Sequence, residues 1–563
     1  MTSKIQTLPS EVVNLIAAGE VIDSLAAVIR ELVENALDAG ATRIVISLWA
    51  DQWRVRVADN GLGMTLENLQ QAATPHSTSK IRDSEDLWQI NSLGFRGEAL
   101  HSLAQLAELE ICSCTADTQE GWHVRYGTQG EPIETDVTAI APGTIVTASN
   151  LFNTWLPRRQ GLPSVAQQLR TVQLTIQQLA LCHPYVTWQI EQGDRLWFSI
   201  WPGKTARQIL PQILREVESN DLQELTLEVE APDHSDTSAR LYLLMGLPDR
   251  CHRYRPDWIK VAVNGRMIKI PDLEQTIQAA FRRTLPRDRH PVCFVHLQVP
   301  PSQIDWNRHP AKAEIYLHHM DYWRTQVLDA IAKAMRLNPT ALPDAAYTDP
   351  VNQLLKTAES PANYPSRQIH PLSDSLPTPH TPHPTPLKAI AQVHNMYILV
   401  EHPTGVWLIE QHIAHERVLY EHLRDRWELV PLNPPVILSQ LTPGQLEQLQ
   451  RIGIEVDLFG DDLWAIRTAP EALAQREDCA DALLELSLGG NLEAAIVATA
   501  CRTAIRNGTT LGLQEMQTLL EQWQNTQNPR TCPHGRPICL SLEESSLSRF
   551  FRRHWVIGKS HGI

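Results

Sequence analysis

The chain lacks the features that mark secreted and membrane proteins. Its nine cysteines are an odd number without regular spacing, so the sequence predicts reduced thiols rather than a disulfide framework. No apolar run approaches the roughly 20 residues that span a bilayer. The first ten residues, MTSKIQTLPS, also lack the basic and apolar pattern of a signal peptide. We therefore expect a cytoplasmic protein with no membrane partner.

A positive net charge is missing as well. The chain has 49 basic and 64 acidic side chains, a formal net charge of −15, which argues against nucleic acid as a partner. DNA binding nevertheless needs only one basic face on one domain. One middle stretch could supply it, because it concentrates Arg253, Arg255, Lys260, Arg266, Lys269, Arg282, Arg283, Arg287 and Arg289. An ordinary solvated surface explains the same stretch, so composition leaves both interpretations open.

The chain is divided by a proline-rich segment. At 563 residues it is too long for one hydrophobic core. Eight prolines alternate with Ser, Thr and His between Ser360 and Pro386, a composition that favours an extended linker over a packed core. Together with its upstream flank, this linker is predicted to cover 338–386. The remaining predicted domains are 1–205, 206–337 and 387–563.

Hydrophobic periodicity predicts an α+β protein on both sides of the linker. Helical spacing covers 11–18, 25–38 and 164–182, whereas strand-like alternation covers 43–49 and 53–58. A second α+β unit is expected from residue 206, with strands near 239–246, 259–263 and 292–299. Beyond the linker, strands near 395–401 and 406–410 lead into a helix.

The helix over 25–38 carries a polar stripe. Glu31, Asn35 and Asp38 stand at positions i, i+4 and i+7, which places them together opposite the apolar side. Gly40 follows in the position that a helix C-cap prefers. A solvated face is the ordinary explanation of such a stripe, so further elements must decide between the two interpretations.

Three further elements add nucleotide-binding chemistry. The string Asp59-Asn60-Gly61-Leu62-Gly63-Met64 puts a carboxylate at a strand end before two glycines, where it can accept a hydrogen bond from an exocyclic amine while the glycines let a flat base approach. The loop Gly94-Phe95-Arg96-Gly97 precedes a helix, whose free N–H groups can bind phosphate. Thr144, after Gly143, offers a hydroxyl. Ordinary turns and a loop-to-helix junction remain the alternatives.

The C-terminal region carries candidate metal ligands. His412 and Glu416 stand at i and i+4 on one helix, a spacing that can chelate a metal. Far downstream, Cys532 and His534 lie two residues apart, and Cys501 is a further candidate. This mixture of N, O and S atoms suits Zn²⁺, whereas the carboxylate-rich half accepts Mn²⁺ or Mg²⁺. The alternative for each isolated residue is a buried small side chain or a surface imidazole.

Taken together, the N-terminal strings resemble the MutL family, the mismatch-repair members of the GHKL ATPases. They read IAAGEVIDSLAAVIRELVENALDAGAT, DNGLGM, HSTSK and LGFRGEAL. The resemblance implies a Bergerat-type α/β sandwich ATPase with ATP and Mg²⁺ as cofactors. It also implies that Glu31 orients the attacking water, that Asn35 coordinates Mg²⁺ and that Asp59 reads the adenine amino group. Gly94, Phe95, Arg96 and Gly97 would form the lid over the phosphates.

The resemblance extends into residues 206–337. It implies a ribosomal-S5-like second domain that lines a positively charged DNA groove. The string IDWNRHPAK matches the segment that bears the γ-phosphate lysine, which would be Lys312. Val263-Asn264-Gly265-Arg266 matches the family's NGR loop, and Arg266 is the predicted DNA contact. Binding of this kind would be sequence-independent, because it would be made mostly to phosphates.

The C-terminal region resembles the endonuclease-type dimerisation domain of the same family. Its motifs DQHA-x2-E-x4-E, ACK, CPHGRP and FKR correspond here to EQHI-x2-E-x4-E, ACR, CPHGRP and Phe551-Arg552-Arg553. Two positions depart: Glu410 replaces the aspartate that carries catalysis in the family, and Ile413 replaces a small alanine. The extra methylene of Glu410 can misplace a metal ligand. Leu429, Val430 and Pro431 match part of a sliding-clamp peptide, whereas Arg426 does not.

The sequence therefore predicts a homodimeric mismatch-repair ATPase that couples recognition by MutS to strand incision. One alternative is a matchmaker without nuclease activity, because Glu410 misplaces the metal. Another is a different GHKL machine, a topoisomerase or a chaperone, but the topoisomerase interpretation lacks an obvious cleavage module. The chaperone interpretation leaves the NGR, HPAK and CPHGRP strings unexplained.

Overall fold

The structure is a computed structural model of the chain. It describes residues 9–81, 86, 90, 92–117, 120–230, 238–305, 315–336, 387–402, 405–460 and 462–543. The predicted linker therefore lies outside the described residues, as do Lys312 and the Phe551-Arg552-Arg553 string. The described residues fall into two compact units, one comprising those up to Arg282 and from Arg289 to Ile331, and the other comprising the rest.

The first unit begins with an eight-stranded sheet of order β5-β4-β3-β6-β2-β1-β7-β8. All its neighbouring strands are antiparallel except the parallel pair β1–β7. The strands are β1 Arg43–Trp49, β2 Arg54–Asp59, β3 Glu108–Cys114, β4 Gly121–Tyr126, β5 Pro132–Thr138, β6 Gly143–Ser149, β7 Thr187–Gln192 and β8 Arg195–Ile200. The helices of this part are α1 Ser10–Val21, α2 Leu25–Asp38, α3 Leu66–Gln71, α4 Ala99–Leu106, α5 Leu156–Gly161 and α6 Val165–Cys182.

The core of this layer follows from the alternation in its strands and the apolar stripes of its helices. Val55 and Val57 of β2 are buried, whereas Arg54 and Arg56, which alternate with them, are half-buried. They pack in one core cluster with residues of α2 such as Val28 and Ile29. Helices on a mostly antiparallel sheet give the predicted α/β sandwich.

Helix α2 is fixed at both ends by local sequence. The Ser24 hydroxyl accepts a hydrogen bond from the Ala27 N–H at its N-terminus. At its C-terminus Gly40 has φ +75°, and its N–H donates to the Leu37 carbonyl. The Ala41 N–H donates to the Ala36 carbonyl, which completes a Schellman motif. The helix therefore stops at Asp38, where its polar stripe meets the end of β2.

The second part of the first unit is built on a five-stranded sheet of order β13-β12-β15-β10-β9, in which β12 and β15 are parallel. Its core includes Leu241, Val261, Val295 and Leu297. The strands are β9 Leu222–Glu230, β10 Ser238–Gly246, β11 His252–Arg253, β12 Ile259–Val263, β13 Arg266–Ile268, β14 His290–Pro291, β15 Cys293–Gln298, β16 Ile304–Asp305 and β17 Tyr316–Leu317. The helices are α7 Ala206–Ile213, α8 Pro271–Ala280 and α9 Met320–Met335.

The second unit contains two sheets. One has the order β18-β19-β20-β24 and the other the order β21-β23-β22. The strands are β18 Lys388–Val393, β19 Tyr397–His402, β20 Gly405–Glu410, β21 Leu429–Ser439, β22 Val456–Gly460, β23 Leu463–Pro470 and β24 Cys539–Glu543. The helices are α10 Gln411–Asp425, α11 Pro443–Arg451, α12 Glu471–Ala474, α13 Cys479–Ser487, α14 Leu492–Thr503 and α15 Leu513–Gln524.

The predicted elements agree with the structure to within a few residues, and their α+β class is confirmed. The domain bounds 1–205, 206–337 and 387–563 stay predictions. Among the described helices, none alone is both long and apolar enough to cross a membrane, although the bent pair Val12–Val21 and Leu25–Asp38 passes that test of length and composition together.

Candidate functional site

A cavity of about 510 Å³ opens between helix α2 and the loop that precedes helix α4. Its volume lies in the range of sites for small molecules and cofactors. Every described residue that is predicted to bind nucleotide lies at this cavity. Among the residues lining the cavity are Glu31, Asn35, Asp38, Asp59, Gly63, Gly94, Phe95, Arg96, Gly97 and Thr144.

Asp59 and Thr144 form the floor of the cavity on neighbouring strands. They are directly opposed in the antiparallel register of β2 and β6. Burial raises the pKa of the Asp59 carboxyl, although the backbone amides of Gly61 and Thr144 oppose that rise by donating to it. The Gly61 N–H lies 2.8 Å from Asp59 Oδ1. The Thr144 hydroxyl lies 2.9 Å from the Ser113 hydroxyl, so its position is fixed beside the carboxylate.

Two glycines allow the backbone to approach closely around the cavity. Gly63 has φ +71°, and a Cβ there would lie 2.0 Å from the Cys114 carbonyl oxygen. Gly97 has φ +65°, and a Cβ there would lie 2.5 Å from the Ser77 carbonyl oxygen. Both positions therefore require glycine, for conformation and for space.

Asp38 holds the loop of residues 93–97, which we call the lid loop. Its two carboxylate oxygens accept the Leu93 N–H at 2.8 Å and the Gly94 N–H at 2.9 Å. The ammonium of Lys80 lies 2.6 Å from Asp38 Oδ2 and 3.1 Å from Asn35 Oδ1. One carboxylate therefore joins the nucleotide helix, the lid loop and a cation.

Glu31 lies beside this arrangement on the same helix. Its side chain is only 7% exposed, and Arg30 Nη2 stands 3.5 Å from Glu31 Oε1. A carboxylate that is largely shielded from solvent yet borders the cavity is suited to orient one water molecule.

The structure buries Arg266, the residue that the sequence predicts to contact DNA. Arg266 is only 6% exposed. Its guanidinium makes a two-point contact with Glu34, with Nε 3.1 Å from Oε1 and Nη2 2.6 Å from Oε2, and it also donates to the Leu93 carbonyl. A guanidinium committed to a buried carboxylate is not available to a phosphate, because leaving Glu34 unpaired in the interior is costly.

Two residues of this site carry no role in the sequence prediction. Glu34 is 2% exposed although it belongs to the helix's polar side, and its partner is 232 positions away in the sequence. Lys80 is the last residue of the HSTSK string, whose resemblance to the family was the available signal. Lys312 lies outside the described residues, so its predicted contact with nucleotide stays a prediction.

In the second unit, three predicted metal ligands come together. One ligand atom from each of Glu416, Cys532 and His534 lies within 4.8 Å of the other two. Glu416 and Cys532 are both fully buried. Glu416 Oε1 and His534 Nδ1 lie 2.8 Å apart, yet neither atom has a hydrogen-bond partner of acceptable geometry among the described residues. A buried oxygen and a buried nitrogen that lack such a hydrogen-bond partner are suited to bind a metal ion.

The charges around this cluster favour metal-ligating forms. Burial raises the pKa of Glu416, but His534, Arg536 and His412 together hold it below its usual value. Burial likewise raises the pKa of Cys532, but the hydrogen bonds of His534 and Arg536 bring it below its usual value. Cys532 and then Glu416 raise the pKa of His534 to about 9. A thiolate is the ligand form of cysteine, and a metal would displace the imidazole proton.

The structure does not bring the other predicted C-terminal residues into this cluster. His412 Nδ1 lies 2.9 Å from the Ile505 carbonyl oxygen, and neither His412 nor Cys501 belongs to the three-residue group. Glu410 is the N-cap of helix α10, and its carboxylate accepts the Ile413 N–H at 2.6 Å. Ile413 itself is buried in the core.

The segment predicted to bind a sliding clamp forms part of a strand. Leu429, Val430 and Pro431 lie in β21 and pair with β23. Arg426 makes a surface ion pair with Glu428. Clamp docking therefore stays a prediction.

Comparison with known proteins matches three segments of the chain to protein families. Residues 23–148 match the family of histidine kinase-, DNA gyrase B- and HSP90-like ATPases. Residues 214–336 match the C-terminal domain of DNA mismatch repair proteins, and residues 390–511 match the MutL C-terminal dimerisation domain.

Full-length relatives give the same picture. The DNA mismatch repair protein MutL of Nostoc punctiforme is 61% identical over 574 residues, and that of Microcystis aeruginosa is 58% identical over 563 residues, with 100% of each chain covered in both cases. The solved N-terminal domain of a DNA repair protein is 25% identical with a TM-score of 0.49, and covers 57% of this chain and 98% of its own. The Aquifex aeolicus MutL ATPase domain, solved with ADP, is 20% identical with a TM-score of 0.39, and covers 56% of this chain and 100% of its own.

The N-terminal part of the chain is accordingly a GHKL-type ATPase domain that hydrolyses ATP, and the C-terminal part contains a dimerisation domain. Because this sequence identity extends over the whole length of the chain, the chain belongs to the MutL family of DNA mismatch repair proteins.

Proposed function

We propose that this protein is an ATP-switched dimer that binds DNA and couples mismatch recognition by MutS to strand incision, which it performs itself in a metal-dependent reaction. The observation that carries the proposal is the cavity in which Glu31, Asn35 and Asp59 meet the lid loop. Binding of a nucleotide there changes what the lid loop contacts, so the nucleotide state can act as a signal.

The roles at this site follow from its chemistry. Asp59, beside Thr144, accepts a hydrogen bond from the adenine amino group. Asn35 would hold Mg²⁺, an ion that would neutralise phosphate charge, and Glu31 orients the attacking water. The amides of Phe95 to Gly97 bind the phosphates at the start of helix α4. Lys312 completes the site as a point charge that senses the γ-phosphate.

We further propose that DNA is held through phosphates by exposed basic side chains of the second domain. Arg255 and Arg282 are both exposed, in contrast with Arg266. Contacts of this kind confer no sequence preference and weaken steeply with salt. The homodimer would enclose the DNA when ATP binds, with the dimerisation domain as the permanent contact.

The nicking activity is assigned to the cluster in the second unit. Glu416, Cys532 and His534 would hold Zn²⁺ or Mn²⁺, and such an ion supplies an activated water and neutralises a phosphate. Arg536, which lies 2.9 Å from Glu416 Oε2, orients that carboxylate. The Glu410 carboxylate stands at the start of the same helix as Glu416.

A plasmid-nicking assay tests this proposal. Supercoiled DNA is incubated with the full chain and Mn²⁺, with and without Zn²⁺, and the Glu416→Gln variant is compared with Glu447→Gln. Glu447 is a matched control, because it is an exposed helical glutamate whose ion pair with Arg451 lies on the surface and therefore contributes little. We expect nicking by the wild type and by Glu447→Gln, and none by Glu416→Gln.

Two outcomes would redirect the assignment. Absence of nicking by the wild type, with retained ATP-dependent DNA binding, would favour the non-nucleolytic matchmaker. Failure to bind MutS on mismatched DNA would instead remove the proposed coupling to mismatch recognition.

A further inference from the structure

The hairpin that presents Arg266 is fixed by hydrogen bonds to residues of its own domain and to His183. Asn264 and Gly265 form its two-residue turn with φ values of 45° and 82°, as a type I′ turn requires. The Gly265 N–H donates to His296 Nε2 at 2.9 Å, and the Gly265 carbonyl lies 2.9 Å from His183 Nε2. The Asn264 side chain exchanges two hydrogen bonds with the backbone of Val299 at 2.9 and 2.8 Å.

Arg266 extends from this hairpin to the nucleotide helix. Its guanidinium contacts both carboxylate oxygens of Glu34, and the two side chains are 7% and 2% exposed. Glu34 stands one helical turn before Asp38 on helix α2, so the two carboxylates lie on one side of the helix.

The same guanidinium reaches the first residue of the lid loop. It donates to the Leu93 carbonyl, while the Leu93 N–H donates to Asp38. Leu93 is therefore held from both sides, by the nucleotide helix through its N–H and by the second domain through its carbonyl. The next residue, Gly94, also donates to Asp38.

We infer that Arg266 is a positioning residue through which the second domain sets the lid loop over the nucleotide. The inference rests on the proposed nucleotide site and adds its regulation. A shift of the second-domain hairpin moves the guanidinium, and with it the Leu93 carbonyl and the amides that follow. DNA bound to the second domain can thus alter nucleotide affinity through this link, although Arg266 does not touch the DNA.

The planar fork of arginine is essential to this role. A guanidinium presents its donors in a fixed planar fork that meets two carboxylate oxygens and a third acceptor from different nitrogens, whereas the three donors of lysine radiate from a single atom. Arg266→Lys therefore keeps the charge and loses the geometry. A phosphate contact would respond differently to Arg266→Lys, because a lysine largely replaces an arginine in such a contact.

The test compares Arg266→Lys, the double variant Glu34→Gln/Arg266→Gln and the control Arg195→Gln, an exposed arginine of strand β8 outside the proposed DNA-binding domain. Steady-state ATP hydrolysis gives KM and kcat, a titration gives DNA affinity at two salt concentrations, and thermal unfolding reports the fold. The double variant removes both buried charges together, so it keeps the fold where a single neutral variant risks losing it.

We expect KM for ATP to rise at least fivefold in Arg266→Lys and at least tenfold in the double variant. DNA affinity should stay within twofold of wild type in both. Arg195→Gln should leave both KM and DNA affinity unchanged. A KM within twofold of wild type in Arg266→Lys overturns the inference, as does a loss of DNA affinity in that variant. Recovery of KM by the double variant also overturns it, because a purely structural ion pair behaves in that way.

Failure of the proposed nucleotide site itself has a different signature. In that case Glu31→Ala would hydrolyse ATP at the wild-type rate, whatever the Arg266 variants do.

Discussion

Replacing Asp38 with asparagine should weaken nucleotide binding by about two orders of magnitude. The Asp38 carboxylate accepts three hydrogen bonds, from Lys80 at 2.6 Å, from the Leu93 N–H at 2.8 Å and from the Gly94 N–H at 2.9 Å. An asparagine has one acceptor oxygen, so its NH₂ group must face either Lys80 and Gly94 or Leu93, all of which are donors. The lid loop thus loses one side of its anchor.

The magnitude follows from the bonds that are lost. A hydrogen bond to a charged group contributes about 1.5–3 kcal/mol, and Asp38→Asn loses one such bond and neutralises the others. We therefore expect a cost of about 3 kcal/mol at the lid loop, which corresponds to roughly a hundredfold weaker binding at 1.4 kcal/mol per factor of ten.

The assay is a titration with a fluorescent ATP analogue, with circular dichroism as a check on the fold. Asp51→Asn is the matched control, because Asp51 is exposed in a short 3-10 turn away from the cavity. Binding of the analogue by Asp38→Asn within threefold of wild type would refute the reasoning that this carboxylate anchors the lid loop.

Two further predictions concern the turn beside Arg266 and the lid loop. Burial, with a contribution from His183, lowers the pKa of His296 to about 4, whereas an unfolded histidine titrates near 6.5. His296 therefore stabilises the fold above pH 6.5, and this contribution is lost as the pH falls toward 4. Between pH 7 and pH 5 urea unfolding should show about 2 kcal/mol more loss in wild type than in His296→Gln, and equal losses would contradict it. Gly97→Ala should lower nucleotide affinity at least tenfold, since a Cβ meets Ser77 and a positive φ costs about 1–2 kcal/mol. Gly444→Ala, where a Cβ meets nothing within 4 Å, is its control, and equal affinities would refute the prediction.

Much of the fold follows from local sequence. Helix α2 is specified by the Ser24 cap, its apolar stripe and Gly40, all of which lie within the segment itself. Strand β2 is specified by the alternation of Val55 and Val57 with arginines. Such features depend on neighbours in the chain, so periodicity detects them.

The packing of the polar stripe does not follow from local sequence. Glu34 lies on the side of helix α2 that sequence reasoning left polar, yet it is buried by an arginine 232 positions away. Because Arg266 lies in the basic stretch from Arg253 to Arg289, the sequence predicted that it would be a surface residue. A pattern along one chain segment does not reveal which side chains a distant segment will cover, so both residues needed the structure.

The contacts of Lys80 likewise do not follow from local sequence. The string HSTSK indicates a family, but the contact of Lys80 with Asn35 and Asp38 joins residues 42 and 45 positions apart. Among the C-terminal candidates, spacing of i and i+4 favoured the pair His412 and Glu416, whereas the structure groups Glu416 with Cys532 and His534. Spacing gives the possible ligands, and tertiary packing selects among them.

ATP hydrolysis in the nucleotide cavity is proposed to depend on Glu31, and one measurement tests this most directly. ATP binding and single-turnover hydrolysis are compared in wild type, Glu31→Ala and Glu67→Ala, an exposed glutamate of helix α3. We expect Glu31→Ala to bind ATP with wild-type affinity and to hydrolyse it at least a hundredfold more slowly, which is within the range of general-base contributions. Glu67→Ala should behave as wild type. Hydrolysis by Glu31→Ala at the wild-type rate would contradict it.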